Sequence, residues 1–359
     1  MTLTSCWHRV PGGTAAAALH MAAALDERDD VEVVGVAPRH RRVPEDPWRP
    51  AVRTVSLPLP RHLLYDSWHY LGWPPVELAA GAVDIVHATA MILPPRRSAA
   101  LVLTVHDLFP LEFPDQFTRR GARVMRRGAA LARRRADLVL CSSRATMRDC
   151  VEAGFAEERL RLVPLGVESA VAGDDEVARV KASYGLGRPY VLWAGTVEPR
   201  KNLPTLLESF RKLGRADLDL VLVGQFGWRE DLDRHIGDQS DRVRRVGFVP
   251  SRDLAALYRG AEVFCLPSLR EGFGLPLLEA MAQGTPVVTS RGTATEEVVG
   301  DAGMVVEPLD ASEIADALAA LLDDGASRQR LGSAGAARAQ QFTWAATASL
   351  IADAYREVS

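Results

Sequence analysis

Short apolar, β-branched runs alternate with helical stretches along the whole chain. In the first half the strand-like runs cover 31–36, 85–87, 101–105 and 138–141. In the second half they cover 190–194, 218–223, 263–266 and 286–289. Most are hydrophobic nearly throughout, the pattern of strands covered on both faces of a parallel sheet. Between them lie stretches of helical composition, such as the alanine-rich 14–25, which has high intrinsic propensity. Two successive sets of this kind predict an α/β protein with two Rossmann-like domains. The length of 359 residues agrees, being too long for one ordinary core and comfortable for two. The join is expected within 166–189, where polar Gly173-Asp174-Asp175-Glu176 precedes a short helix. One domain then spans 1–170 and the other 185–342, followed by a helical tail, 343–359, with Thr343 as its N-cap.

The densest chemistry lies in Arg270-Glu271-Gly272-Phe273-Gly274-Leu275-Pro276-Leu277-Leu278-Glu279-Ala280. The run 261–268 reads as a buried strand that stops at Pro267, and Gly272 and Gly274 then make a loop. Pro276 fits the first position of a helix that ends at Gly284. Glu271 is thereby placed on the loop and Glu279 in the first helical turn. The free backbone N–H groups between them favour an anion such as phosphate. Two carboxylates beside an anion hole suit a sugar nucleotide: one for sugar hydroxyls, the other for the ribose, and the amides for the diphosphate. A helix with an acidic first turn would explain Glu279, but neither Glu271 nor the paired glycines.

This stretch resembles the E-x7-E signature of the retaining family-4 glycosyltransferases, which have the GT-B fold. Gly195-Thr196-Val197-Glu198-Pro199-Arg200-Lys201-Asn202-Leu203 is similar to that family's diphosphate loop. Asp84-Ile85-Val86-His87, Thr104-Val105-His106-Asp107 and Val163-Pro164-Leu165-Gly166-Val167 are similar to its amino-terminal markers, in the family's order. The resemblance implies two Rossmann-like domains facing a central cleft, with the tail helix crossing back to the first. It assigns the acceptor to the first domain and a nucleoside-diphosphate sugar to the second. His106 and Glu271 are then the catalytic candidates. Arg200, Lys201, Gly274 and Leu275 bind the diphosphate, and Val249 and Glu279 the nucleoside. Thr196 stands where many relatives have Arg, and Arg200 is the residue able to compensate. Thr14 replaces a longer glycine-rich turn, so Gly12 and Gly13, near His8, remain an acceptor or phosphate loop. His87 reads as structural. His106 has a plainer reading too, as a paired histidine at a strand end.

Composition narrows the picture. A net charge of −3 gives no support to nucleic-acid binding. Cys6, Cys141, Cys150 and Cys265 are scattered without a C-x-x-C pair, which suggests neither a zinc site nor a disulfide framework. A reduced cytoplasm is the expected setting. No run of about 18 apolar residues spans a bilayer, and the amino terminus does not read as a signal peptide. The basic segment from Arg119 to Arg135 reads either as a solvated helix face or as a surface for peripheral association with an anionic membrane. Asp217-Leu218-Asp219 and Asp231-Leu232-Asp233 have D-x-D spacing, but the first opens an apolar strand and the second lies in a polar helical stretch. Donor binding is therefore expected to be metal-independent, with no cofactor. The resemblance leaves GDP-mannose or a UDP-sugar as donor, and a sugar, a lipid-linked molecule or a small molecule as acceptor. A non-catalytic sugar-nucleotide-binding subunit is the alternative. A Rossmann oxidoreductase would need a G-x-G-x-x-G loop that Pro11-Gly12-Gly13-Thr14 does not supply.

Overall fold

The computed structural model describes residues 1–8, 11–224 and 232–359. The chain divides into two compact units, Met1–Gly166 with Trp344–Ser359, and Val167–Thr343.

In the first unit the strands are β1 (Gly35–Ala37), β2 (Thr54–Ser56), β3 (Ile85–Ala88), β4 (Ala100–Val105), β5 (Leu138–Cys141) and β6 (Leu160–Leu162). Strand β1 pairs with β2, and β3 to β6 pair in sequence, all in parallel. Residues 1–3 bridge the two sheets. Leu3 N–H donates to the Val36 carbonyl (2.9 Å) and Thr2 N–H to the His87 carbonyl (2.9 Å). The amino terminus thus acts as a strand between β1 and β3, and the unit reads as one doubly wound parallel sheet. The core sets Val86, Leu101, Leu103, Val105 and Val139 from the strands against Leu64, Trp68 and Leu131 from helices. The tail helix Trp344–Arg356 returns to this unit. Trp344 stacks on His20 with centroids 4.9 Å apart, Thr347 donates to the Pro164 carbonyl (2.8 Å), and Tyr355 meets His87.

In the second unit the strands are β7 (Tyr190–Ala194), β8 (Asp219–Val223), β9 (Val243–Gly247), β10 (Val263–Leu266), β11 (Val287–Ser290) and β12 (Met304–Val306). Their order among the described residues is β12-β11-β10-β7-β8-β9, parallel throughout. The chain builds outward from β7 to β9 and then crosses back to β10. Strands β7 and β10 are therefore neighbours whose outgoing loops diverge, which is where open α/β sheets bind ligands.

The first apolar run begins later than its composition indicates. Only Gly35–Ala37 lies in the ladder, because the partner β2 offers three residues and Glu32 is already exposed. Strands β2, β6, β9 and β12 escaped the apolar pattern: three are only three residues long, and β9 carries Arg244 and Arg245 on an exposed edge.

Four histidines of the first unit share one electrostatic condition. Burial draws His8, His69 and His106 down to about 4 and His87 to about 3. Each is kept neutral in the fold, so its contribution is full above the unfolded value near 6.5 and is lost as the pH falls through that window. We expect the first unit to open before the second between about pH 6.5 and 4. Brief digestion with an acid protease at pH 4.5, read by mass spectrometry, should show the first cuts within Met1–Gly166. First cuts within Val167–Thr343 would contradict this.

Candidate active site

The loops leaving β7 and β10 are tied together. After β7 the chain makes a tight 3-10 turn, Pro199–Lys201, which ends at Asn202 in left-handed conformation (φ 56°) and enters helix Leu203–Leu213. Among the described residues Asn202 is the one non-glycine with positive φ. Asparagine tolerates this conformation better than most residues because its short amide can bond locally. Here that amide is buried. Its Nδ2 donates to the carbonyls of Pro267 (3.0 Å) and Pro308 (2.5 Å), and its Oδ1 accepts from Thr205 Oγ1 (2.7 Å). Leu269 N–H also donates to the Arg200 carbonyl (2.8 Å).

This lacing brings Lys201 against Glu271. Lys201 Nζ lies 2.6 Å from Glu271 Oε1, and both side chains are only 7% exposed. Arg200 Nη1 lies 3.3 Å from Glu271 Oε2, while its Nε bonds Glu198 (2.9 Å). Ser268 Oγ donates to Glu271 Oε1 (2.7 Å). Burial alone would push the Glu271 carboxyl up. The charges of Lys201 and Arg200, with the bonds from Lys201 and Ser268, outweigh it and hold the group below the usual carboxylate range. Burial draws Lys201 down, and Glu271 works against that.

Gly274 then turns the chain into helix Leu275–Ala282. Its φ is 102°, and a Cβ there would stand 2.6 Å from Thr295 Cγ2, so glycine is required on both counts. The helix begins at Leu275, not Pro276, and no side chain caps it; Pro276 has no N–H and Leu277 N–H donates to the Gly274 carbonyl (3.0 Å), so the Leu275 N–H is the one of this turn left for another acceptor. Glu279 falls beyond the first turn that the sequence pattern suggested. It accepts from Tyr258 Oη (2.9 Å), and burial raises its carboxyl, a rise that Tyr258 opposes and Glu168 reinforces. The two glutamates of one short segment are thus tuned in opposite directions.

Val249 is buried in the turn between β9 and helix Ser251–Arg259. Pro250 occupies the N-cap of that helix. Asp219, the second acid of the first D-x-D spacing, is buried and bound by Arg188 (3.1 Å) and Arg244 (3.3 Å), which commits it to structure. The second such spacing begins at Asp231, which lies outside the described residues.

In the first unit His106 follows β4. Its carbonyl accepts from Ser142 Oγ (3.3 Å) and Thr146 Oγ1 (3.2 Å), and its ring is bonded to the Thr89 backbone. The ring Nε2 is buried without a hydrogen-bond partner among the described residues. His87 is structural, with both ring nitrogens engaged: Nε2 to Thr104 Oγ1 and Nδ1 to Tyr355 Oη, each 2.7 Å. Gly12 caps helix Gly13–Asp26, and a Cβ at Gly12 or Gly13 would meet nothing within 4 Å, so backbone there is open to approach. His8 bonds Tyr65 Oη (3.0 Å). Sequence reasoning passed over Asn202, Ser268 and Tyr258 as site-building residues. An asparagine straight after Lys201, at the start of a helical run, was the one available signal.

Two cations, a buried carboxylate and a helix start without a side-chain cap thus meet at the switch point of a doubly wound unit. Comparison with known proteins gives the class. The model of "Glycosyl transferases group 1" matches residues 174–338, and that of "Glycosyltransferase Family 4" matches 11–171. The chain is 33% identical over 282 residues to O-antigen chain mannosyltransferase B of Escherichia coli, covering 76% of this chain and 74% of that protein. It is 35% identical over 235 residues to MMP alpha-(1->4)-mannosyltransferase of Mycolicibacterium hassiacum, covering 63% and 55%. A solved structure of Anabaena HepE with UDP and glucose matches over 98% of this chain and 97% of that one, with a TM-score of 0.76 at 19% identity. The chain belongs to the family-4 glycosyltransferases, and its fold is GT-B.

The opposed tuning of the glutamates has a measurable consequence. Glu271 titrates below its unfolded value, so its contribution is present above the ordinary carboxylate range and lost as the pH falls through the depressed value. Glu279 titrates above its unfolded value, so ionising it in the fold costs stability as the pH rises. At pH 8, Glu271→Gln should destabilise by about 3–5 kcal/mol, because it leaves Lys201 buried without its counter-charge. Glu279→Gln should melt at or above the parent temperature. Calorimetry decides, and the reverse order would refute the assignment.

Proposed function

We propose that this protein transfers a hexosyl group from a nucleoside-diphosphate sugar to a hydroxyl acceptor, with retention of anomeric configuration and without a metal ion. The observation that carries this reading is the Arg200–Lys201–Glu271 cluster beside the open helix start at Gly274 and Leu275. The bond from the anomeric carbon to the diphosphate oxygen breaks, and its electron pair leaves with the phosphate. Charge therefore grows on the diphosphate, where Arg200, Lys201 and the Leu275 N–H at the helix start are suited to meet it. Lys201 keeps donors beyond the one used on Glu271, and Arg200 presents a fork matched to phosphate. The acceptor hydroxyl adds to the same face of the sugar, and its proton passes to the departing phosphate oxygen. Glu271, held ionised, binds sugar hydroxyls and steadies positive charge at the anomeric carbon. Glu279 takes the ribose and the Val249 backbone the base. In the first unit, His106 with its neutral ring is assigned to the sugar, and Gly12 and Gly13 to the acceptor.

GDP-mannose is the preferred donor, a choice supported by the two mannosyltransferase relatives, with a UDP-sugar as second choice. The decisive experiment is release of nucleoside diphosphate from a panel of nucleotide sugars, with and without simple acceptors. Anomeric configuration would be read by NMR. Release from none of them would sink the reading, and NAD binding with a change in cofactor absorbance would favour the oxidoreductase alternative.

Activity should be indifferent to EDTA, and Lys201→Ala should slow transfer by roughly 100-fold or more, as loss of a charge-stabilising group does. Glu271→Gln should lower turnover, whereas Glu279→Gln should weaken donor binding. An absolute need for added Mn²⁺ would overturn the metal-free assignment.

His106→Ala should keep nucleoside-diphosphate affinity, measured by calorimetry, yet lose most transfer. Normal transfer by the variant would make His106 structural.

A further inference from the structure

Helix Arg119–Arg135 carries eight arginines and no acidic residue. Ala122, Gly128, Ala129, Leu131 and Ala132 turn its other side into the core. Arg119, Arg123, Arg126 and Arg134 recur at helical spacing on the exposed side. None of these four has a hydrogen bond or ion pair among the described residues. Arg120 and Arg127 are engaged differently: they fasten a neighbouring apolar segment to this helix. Arg120 Nη2 bonds Asp66 and the His62 carbonyl, both at 2.7 Å. Arg127 Nε donates to the His69 carbonyl (3.3 Å), and its guanidinium lies 5.5 Å from the Tyr70 ring centre.

That segment turns large apolar side chains outward. Leu71 is 78% exposed, Tyr70 57%, Leu63 49% and Trp73 47%. Scattered single exposures of this kind are ordinary, but four within eleven positions, beside an unpaired cationic row, are not. The apolar tip is also held in place. Trp68 is buried and donates to the Pro74 carbonyl (3.0 Å), and Ser67 donates to the Trp73 carbonyl. The acidic residues on this side are Asp66, neutralised by Arg120, and Glu112 and Asp115 just before the helix, both engaged in contacts of their own.

We infer that this face of the first unit docks on an anionic lipid surface, with Leu71 and Trp73 entering the headgroup boundary and Arg119, Arg123, Arg126 and Arg134 set against the lipid phosphates. Charge complementarity selects this occupant. A protein with net charge −3 is weakly repelled by an anionic bilayer as a whole, so only a local, one-signed row can hold it there. Apolar and aromatic side chains beside that row suit the boundary between headgroups and acyl chains, where tryptophan and tyrosine concentrate. A nucleic acid would use the same charges but would leave Leu71 without a role. Among the described residues no helix is long and apolar enough to cross a membrane, so attachment of this kind would be reversible.

The test is sedimentation of the whole protein with vesicles of phosphatidylcholine containing phosphatidylglycerol, against phosphatidylcholine alone. Binding should require the anionic lipid and should fade at about 1 M NaCl, where charge is screened within a few ångströms. Changing Arg119, Arg123, Arg126 and Arg134 together to Gln should weaken it by about 600-fold, from roughly five-fold per charge. The second variant, Leu71→Ser with Trp73→Ser, should weaken it about 10-fold while leaving the salt dependence in place. The arginine variant should melt like the parent, since its four side chains are exposed and unpaired among the described residues. Failure of the parent to bind anionic vesicles would overturn the inference, as would equal binding to neutral vesicles or unchanged binding by both variants. Preference for an RNA oligonucleotide over the vesicles would reassign the face.

Discussion

The second unit depends on one buried ion pair. Two opposite charges taken out of water cost several kcal/mol each before their attraction is counted, so such a pair persists only where its remaining hydrogen-bonding capacity is filled. On the Glu271 side it is filled by Ser268 and Arg200, while Lys201 spends one of its N–H donors on the pair. The pair also explains why both loops must be stiff. An ångström of play between the exits of β7 and β10 would weaken the attraction while leaving the desolvation cost in place. The amide of Asn202 and the bond from Leu269 to Arg200 remove that play.

The two units are both wound on parallel strands and differ in the groups that lie beyond the ends of those strands. In the second unit these include the cations Arg200 and Lys201 and the helix start at Leu275. In the first, His8 and His106 are held uncharged by burial and the backbone of Gly12 and Gly13 is open, with Arg61 as the cation acting on His8. Fixed cations at a helix start fit an anionic diphosphate, and neutral histidines with open backbone fit hydroxyls, which need donors and acceptors. The proposed division of labour between the units rests on this contrast.

Legibility in the sequence followed burial. The strands Leu138–Cys141, Tyr190–Ala194 and Val263–Leu266 coincide with apolar runs because both of their faces are covered. Edge and three-residue strands were hidden, since β9 carries arginines and residues 1–3 are ordered by neighbours distant in sequence. At the site, the glutamate spacing, the cation pair and the glycine turn could be read directly. The offset of Glu279 beyond the first turn could not, because it follows from where helix Leu275–Ala282 begins, and a proline fits either of its first two positions. Nor could Tyr258 be paired with Glu279, as that contact depends on how two helices pack.

Asn202 narrows what this loop can become. Glycine would keep the backbone comfortable but would leave the Pro267 and Pro308 carbonyls with no donor. Aspartate would tolerate the backbone yet set a carboxylate against those same carbonyls. Leucine or valine would fail on both counts. Only a residue at ease in the left-handed region that also carries an amide satisfies the position. Any descendant that alters its donor chemistry is therefore expected to do so around Asn202, through its neighbours on either side, and not through it.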